Sequence, residues 1–390
     1  MTAKKLMVIA GEKSGDFHAS RIIASLRQLS PSIEVFGVGG EKMARSGAEI
    51  LKDITGLAVV GFTEVLKSYL KFRRLFRFLV EIARQRKPDA VLLVDYPGFN
   101  LRLASALKSL GITVIYFVSP QIWAWGRNRI QKMRKLIDHM IVVFDFEVPI
   151  YDEAGISVTY VGHPLADVLQ PSVSREEFRQ REGIPAEAKV VALLPGSRLN
   201  EVRRHVPLMG RTAERICRTL EGTEFLLPAA SQELARECRR LLEERRISAP
   251  IRILDDATYD AVNASDAAIV SSGTATLETG CLGVPLVVIY RVSRLTYLIA
   301  RRLVTIRNIG LINIVAGKTI APEFVQHRAR PSKIADEIVR FLSDSKLSRT
   351  VREELSGVRA KLGPPGAPER AARVILDVLG QKETHQRKRS

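Results

Sequence analysis

Cysteine is scarce in this chain of 390 residues: Cys217, Cys238 and Cys281 are the whole supply. An odd number with no C-x-x-C spacing speaks against a disulfide framework and a thiol zinc site, and a reducing compartment is the simpler reading. Long apolar runs are also missing, and no uninterrupted stretch is long enough to span a bilayer. The chain passes from Met1-Thr-Ala-Lys-Lys directly into a strand-like segment, Leu6 to Ala10, too short for the apolar region of a signal peptide. The expectation is a cytoplasmic protein whose membrane contact is peripheral. Acidic residues are outnumbered, 42 Asp and Glu against 60 Lys and Arg, which leaves a net charge of +18. Such a surface field attracts polyanions. It does not choose among nucleic acid, lipid headgroups and phosphorylated small substrates. Repeats at a short fixed period are absent, and the one biased tract is the polar, cationic tail 381–390, expected to be disordered.

What is present is a globular composition, 46% hydrophobic and 26% charged, on a chain longer than one core usually fills. Short apolar runs alternate with amphipathic stretches: Leu6–Ala10, Glu34–Val38, Ala90–Val94, Thr113–Val118 and Met140–Phe144 read as strands with helical crossovers between them. A second series, Val190–Leu194, Glu224–Leu227, Ile251–Leu254, Ala267–Val270 and Leu286–Tyr290, follows a polar stretch that contains Pro171 and Pro185. This pattern predicts two Rossmann-like, doubly wound α/β domains with a cleft between them. The expected boundaries are an N-terminal domain over 1–166, a linker over 167–187, a C-terminal domain over 188–355 and a helical segment over 356–380 that packs back across the domains. In such sheets ligands sit beyond the carboxyl ends of the strands, so chemistry is sought there.

After the first strand comes Gly11-Glu-Lys-Ser-Gly-Asp16, with a helix expected to begin near Phe17 or His18. Glycines at a strand-to-helix turn turn backbone N–H groups toward a ligand. Glu12, Ser14, Gly15 and Asp16 are read as a substrate-facing loop, with a tight turn capped by Asp16 as the plainer alternative. It does not match G-x-G-x-x-G, so a dinucleotide site is not expected. A later strand ends in Val94-Asp95-Tyr96-Pro97-Gly98-Phe99-Asn100, which sets a carboxylate at the sheet's carboxyl edge. Transfer to a hydroxyl needs a general base within hydrogen-bond reach. Asp95 is the candidate, and capping of the next helix is the alternative. Trp123 and Trp125, both tryptophans of the chain, stand beside Arg127, Arg129 and Lys132, where aromatic rings can wall an acyl or sugar group or pack a domain edge. His163, between Gly162 and Pro164, reads as a hinge next to a turn, with a polar cleft residue as the alternative.

In the second half, Leu194-Pro-Gly-Ser-Arg198 follows a strand and opens a helix. Gly196, Ser197 and Arg198 offer backbone donors, a hydroxyl and a guanidinium to a diphosphate. Ser271-Ser-Gly-Thr-Ala-Thr-Leu-Glu278 repeats the arrangement, with Ser272, Gly273 and Thr274 at a helix start and Glu278 suited to a ribose hydroxyl pair. Each loop alone is a common turn; together in one domain they suggest a nucleotide-sugar site. No D-x-D stands at a strand end, so neither a metal nor another cofactor is expected. Leaving-group charge would then fall to Arg198 and backbone dipoles.

The stretch Phe62–Ile82 has a helical pattern with an unusually wide apolar arc. Phe62, Val65, Tyr69, Phe72, Phe76 and Leu79 form one stripe, and Leu75, Phe78 and Ile82 extend it, while Lys67, Lys71, Arg73, Arg74 and Arg77 occupy the rest. That composition fits a helix lying on an anionic membrane. A similar mixture over Arg291–Arg307 strengthens the expectation.

In this order, Gly11-Glu-x-Ser-Gly-Asp16, Asp95-x-Pro-x-Phe-Asn100, Ser119-Pro-x-x-Trp-Ala-Trp125, Gly162-His-Pro, Leu194-Pro-Gly-Ser-Arg198 and Ser272-Gly-Thr-Ala-Thr-Leu-Glu278 resemble the lipid-A-disaccharide synthase family over nearly the whole chain. The resemblance includes Asn313 and the following Pro322-Glu-Phe-Val-Gln326. It implies the GT-B glycosyltransferase fold, UDP-2,3-diacylglucosamine as donor, 2,3-diacylglucosamine 1-phosphate as acceptor, and a β-1,6-linked disaccharide 1-phosphate plus UDP as products. It further implies Asp95 as base, Asn100 on the substrate side, and Arg198, Glu278, Asn313 and Gln326 on the UDP side. The implied setting is the inner face of the bacterial inner membrane, with an inverting, metal-independent transfer and no nucleic-acid partner; homo-oligomerisation is left open. Gly98 stands where some relatives carry a second acid, which puts more weight on Asp95. Rival readings are another GT-B enzyme, such as a UDP-sugar 2-epimerase, and an RNA-binding protein suggested by charge alone. The first would not need two membrane-facing basic helices, and the second would leave the phosphate loops without a purpose.

Overall fold

A strand buried on both faces needs a continuous apolar run rather than alternation, and the central strands here carry such runs. The computed structural model describes residues 3–54, 62–123, 129–293, 297 and 308–387. Contacts divide the chain into two units, Met1–Asp167 with Leu362–Ser390, and Val168–Lys361.

The first unit contains β1 (Lys5–Ala10), α1 (Lys13–Leu29), β2 (Glu34–Gly39), α2 (Glu41–Arg45), β3 (Glu49–Asp53), α3 (Phe62–Arg86), β4 (Ala90–Val94), α4 (Pro97–Ser109), β5 (Thr113–Phe117), α5 (Ile130–Arg134), β6 (His139–Val142), α6 (Val148–Asp152) and β7 (Val158–Tyr160). Its sheet runs β3-β2-β1-β4-β5-β6-β7, and every recorded pairing is parallel. The apolar runs of β1, β4 and β5 fill the middle, where almost every residue is buried.

The second unit contains α7 (Arg175–Arg181), β8 (Val190–Leu194), α8 (Leu199–Thr219), β9 (Glu224–Ala229), α9 (Gln232–Glu244), β10 (Ile251–Asp255), α10 (Thr258–Asn263), β11 (Ala267–Ser271), α11 (Thr274–Cys281), β12 (Leu286–Tyr290), α12 (Leu311–Ala316), β13 (Glu323–Val325), α13 (Pro331–Ser343) and α14 (Ser345–Ala360). Its sheet, β10-β9-β8-β11-β12-β13, is likewise parallel. Both are doubly wound sheets, as the sequence pattern leads one to expect. The stretch 167–187, expected as a linker, holds α7, whose N-cap Ser174 accepts the Glu177 N–H and whose Phe178 is buried against Ile184, Val190, Leu226 and Ala261. Buried Arg179 donates to the carbonyls of Ala264 and Ala188 and pairs with Asp266 at 3.0 Å. These contacts fold the stretch into the second unit.

The chain then returns. The His163 N–H donates to the Leu362 carbonyl at 2.8 Å, the Gly366 N–H to Asp167 Oδ1 at 2.6 Å and Arg370 Nε to the Val161 carbonyl at 2.7 Å. The last helix, α15 (Ala367–Arg387), packs against α1 through buried Ala371, Ala372, Ile375 and Leu379, and runs into the stretch 381–390 expected to lack order.

Candidate active site

In each sheet the strand order reverses once, between β1 and β4 and between β8 and β11. That reversal opens a crevice at the carboxyl edge. In the first unit α1 starts at Lys13, earlier than the glycine spacing suggests, because Glu12 already has the extended geometry of an N-cap. Gly11 is required: a Cβ there would meet the Tyr96 ring at 2.7 Å. Ser14 is exposed, Glu12 is half-buried, and Gly15 lies against Ala10 and Val94. After burial, the nearby Glu12 charge is the second cause that raises the Tyr96 phenol. Asp16 caps a neighbouring helix. It is buried, and its Oδ1 accepts the Gly40 and Met43 N–H groups at 2.8 and 3.2 Å while Oδ2 accepts that of Lys42 at 3.2 Å. Its carboxylate thereby caps the start of α2.

At the end of β4, Asp95 and Tyr96 both adopt left-handed backbone, with φ of 47° and 50°. Non-glycine residues held this way cost on the order of 1–3 kcal/mol each and persist only where the surroundings over-determine them. The Asp95 carbonyl accepts the Tyr116 hydroxyl at 2.6 Å and Asn100 Nδ2 at 2.7 Å, and the Asp95 N–H donates to the Phe117 carbonyl at 3.0 Å. Burial, helped by the Asp95 charge, pushes the Tyr116 phenol well above its ordinary value, so the hydroxyl keeps its proton. Asn100 is fully buried beneath this turn, and its amide also donates to the Val94 carbonyl at 3.2 Å. The Asn100 amide nitrogen, expected on the substrate side, is thus committed to two backbone carbonyls. Asp95 itself is half-buried at the carboxyl edge, as its position after an apolar strand dictates.

Beyond β5, Trp123 Nε1 donates to Glu147 Oε1 at 3.2 Å. In the sequence Glu147 is one glutamate among many. Only 2% exposed, it is pushed up to about 7 by burial, against the opposing hydrogen bonds of Ser119 and Trp123. Ser119 Oγ and the Tyr151 hydroxyl share a 2.6 Å hydrogen bond in the same cluster. The Trp123 ring meets Phe146 edge-on at 5.7 Å, Phe146 stacks on Phe144 at 5.3 Å, and Phe144 lies 4.9 Å from the His163 ring. His163 Nδ1 accepts the Leu165 N–H, and burial, with His18 nearby, lowers its pKa to about 3. Trp125 lies outside the described residues.

In the second unit the loop after β8 is set by Gly196, at φ 111°, where a Cβ would stand 2.3 Å from Glu201 Oε2. That carboxylate accepts the Arg198 N–H at 3.3 Å, and the Arg198 guanidinium pairs with it at 3.7 Å. Ser197 and Arg198 are exposed. Buried His205, unremarked in the sequence, donates from Nδ1 to the Pro195 carbonyl at 2.8 Å and accepts the Arg291 N–H on Nε2 at 3.0 Å. It stitches the loop after β8 to the loop after β12, and burial lowers its pKa so that it remains neutral.

After β11, Gly273 and Thr274 are exposed at the start of α11, with φ of 153° at Gly273. Ser272 Oγ donates to the Ile309 carbonyl at 2.9 Å, and Thr276 Oγ1 to that of Gly273 at 2.8 Å. Half-buried Glu278 accepts the Tyr259 hydroxyl at 3.2 Å, and burial raises its pKa. Asn313, expected near the donor, is held by the chain around it. It is fully buried, Nδ2 donates to the Ala321 carbonyl and Glu323 Oε1 at 2.7 and 2.8 Å, and Oδ1 accepts the N–H groups of Ile320 and Ala321, both at 2.8 Å. Its hydrogen-bonding capacity is spent on the chain that includes Ile309, whose N–H Glu323 accepts. Gln326, at φ 52°, donates to the Val292 carbonyl at 3.2 Å.

On α3 the apolar arc divides between core and surface. Leu75 is 2% exposed and sits in the core with Leu79 and Ala83, and Ile82 packs against the same core. Phe72 and Phe76 meet the Phe99 ring at 6.0 and 6.4 Å. Among the described side chains of α3 the exposed apolar ones are Leu70, at 57%, and Phe78, at 38%, set among exposed Lys71, Arg73, Arg74 and Arg77. The side chains of Phe62, Val65, Lys67 and Tyr69, and most of 291–307, lie outside the described residues. Among the described residues no helix is long and apolar enough to cross a membrane, and no group of three His, Cys, Asp or Glu side chains could hold a metal ion.

A family model described as lipid-A-disaccharide synthetase matches residues 6–364. The lipid-A-disaccharide synthase of Syntrophus aciditrophicus is 43% identical over 98% of this chain and 100% of its own, and that of Trichlorobacter lovleyi is 42% identical over 97% and 98%. Among solved structures, UDP-GlcNAc 2-epimerase from Neisseria meningitidis, bound to UDP-GlcNAc, superposes with a TM-score of 0.64 at 13% identity over 97% of this chain and 100% of that one. At such low identity the likeness speaks for the fold alone.

Proposed function

This chain belongs to the lipid-A-disaccharide synthase family, glycosyltransferases of lipid A biosynthesis that use a UDP-sugar, and from that premise we propose how its residues divide the reaction. The donor is UDP-2,3-diacylglucosamine and the acceptor 2,3-diacylglucosamine 1-phosphate. The second unit holds UDP. Ser197 and Arg198 take the diphosphate together with the backbone N–H groups of Gly273 and Thr274 at the start of α11, and Glu278 takes the ribose hydroxyls. One observation carries this reading: two strand-to-helix loops on either side of the β8/β11 reversal leave Ser197, Arg198, Gly273 and Thr274 exposed, while Glu201 pairs with Arg198 and Ser272 and Thr276 bond neighbouring carbonyls. Asn313, Ser272 and His205 act on those loops from behind.

In the first unit Asp95 removes the proton of the acceptor hydroxyl, which attacks the anomeric carbon from the face opposite UDP and inverts it. Negative charge then grows on the departing diphosphate, where Arg198 and the α11 dipole stabilise it without a metal. Ser14, Glu12 and Trp123 line the acceptor side. Leu70 and Phe78, with the cations around them, rest on the anionic inner face of the cytoplasmic membrane, where both acylated substrates reside. The decisive assay incubates the purified protein with both substrates and follows disaccharide and UDP. Formation of neither would overturn the reading.

A further inference from the structure

The Asp95 carbonyl collects more than a helix cap requires. A cap satisfies amide N–H groups with a side chain, whereas here two buried side chains from different elements, Tyr116 of β5 and Asn100 of α4, converge on one carbonyl oxygen at 2.6 and 2.7 Å. Tyr116 pairs in register with Leu93. Its hydroxyl nevertheless reaches the carbonyl two residues beyond that partner, where the ladder ends and the left-handed turn begins. From this geometry we propose that Tyr116, with Asn100, is a positioning residue for the transfer: the pair holds the Asp95–Tyr96 turn in its left-handed form and so aims the Asp95 carboxylate at the acceptor hydroxyl. The inference rests on Asp95 being the base. Tyr116 would touch no substrate.

Tyr116→Phe keeps the ring and removes one donor. Misplacing a reacting group by a fraction of an ångström to one ångström costs on the order of ten- to a hundredfold, so kcat should fall by about that much while KM for both substrates and UDP affinity stay within about twofold. A merely structural role would lower the melting temperature without this split, measured at a temperature where circular dichroism shows the variant folded. In the double variant with Asp95→Asn, the tyrosine change should add nothing further. If Asp95→Asn abolishes turnover and Tyr116→Phe leaves kcat within twofold of the parent, the positioning role is wrong and the base assignment stands. Multiplied losses in the double variant also overturn it. If Asp95→Asn retains normal turnover, the base assignment falls and takes this inference with it. Should Tyr116→Phe fail to fold, Asn100→Ser is carried through the same measurements with the same criteria.

Discussion

Replacing the two exposed apolar residues of α3, Leu70→Ser with Phe78→Ser, should detach the protein from anionic vesicles without unfolding it. Their magnitudes follow from exposure. Fully burying a Leu or Phe side chain stabilises by about 1.5–3 kcal/mol, and these two present 57% and 38% of their surface. Entering the lipid interface would thus contribute roughly 1 kcal/mol each. The double change should weaken partitioning by about 2 kcal/mol, roughly thirtyfold. Each of Arg74 and Arg77, exposed on the same helix, adds about 1 kcal/mol near an anionic surface, so their loss should show on anionic vesicles and not on neutral ones. Folding stability should barely move, because surface changes of this kind usually stay within about 0.5 kcal/mol. Leu75→Ser is the contrasting variant: at 2% exposure it leaves a cavity and should cost about 2–5 kcal/mol. Vesicle sedimentation and thermal melting measured on both variants separate the two effects. Sedimentation of the Leu70/Phe78 double variant at the parent level would refute the membrane assignment for this helix.

Asp95→Asn should lower kcat by about a hundredfold or more, the scale of a lost general base; near-normal steady-state turnover removes Asp95 from that role. Arg198→Ala should weaken UDP binding by roughly tenfold or more, since a hydrogen bond to a charged group is worth about 1.5–3 kcal/mol, and unchanged affinity by calorimetry would place the diphosphate elsewhere. Glu147 carries a pH signature: its folded pKa, raised to about 7 by burial, means that its contribution to stability is complete below about pH 4.5, the unfolded value, and is lost as pH climbs through 7. That loss is on the order of 3 kcal/mol. Glu147→Gln, neutral throughout, should therefore gain several degrees in melting temperature relative to the parent between pH 4.5 and 7; parallel curves for the two proteins would sink the argument. His163, lowered to about 3 by burial, has the opposite sign: its stabilisation is present above about pH 6.5 and lost as pH falls toward 3. His163→Gln should flatten the acid limb of the melting profile, and an unaltered limb would show that another group governs it.

The sequence alone determined the features that depend on local pattern. The apolar runs of β1, β4, β5, β8, β11 and β12 specify buried parallel strands, and the glycines at 11, 196 and 273 mark sites where the backbone turns beside another group or adopts a conformation that side chains resist. Edge strands β3, β7 and β13 escaped that reading because they are partly exposed and short, with no apolar run to announce them. A polar residue at a strand end can point to a ligand or turn back to its own backbone, and the residue type is the same in both cases. Asp16, Asn100 and Asn313 turn back, whereas Ser197, Arg198 and Thr274 remain exposed. Tyr116, Glu147 and His205 matter through partners 21, 24 and 86 residues away, distances at which sequence spacing carries no signal. The same holds on α3, where a wide apolar arc told that some residues must remain outside but not which. Phe72 and Phe76 pack against Phe99, and on the same helix Leu75 lies inward while Leu70 and Phe78 stay out, because a helix has one rotation about its axis, and neighbouring side chains choose it.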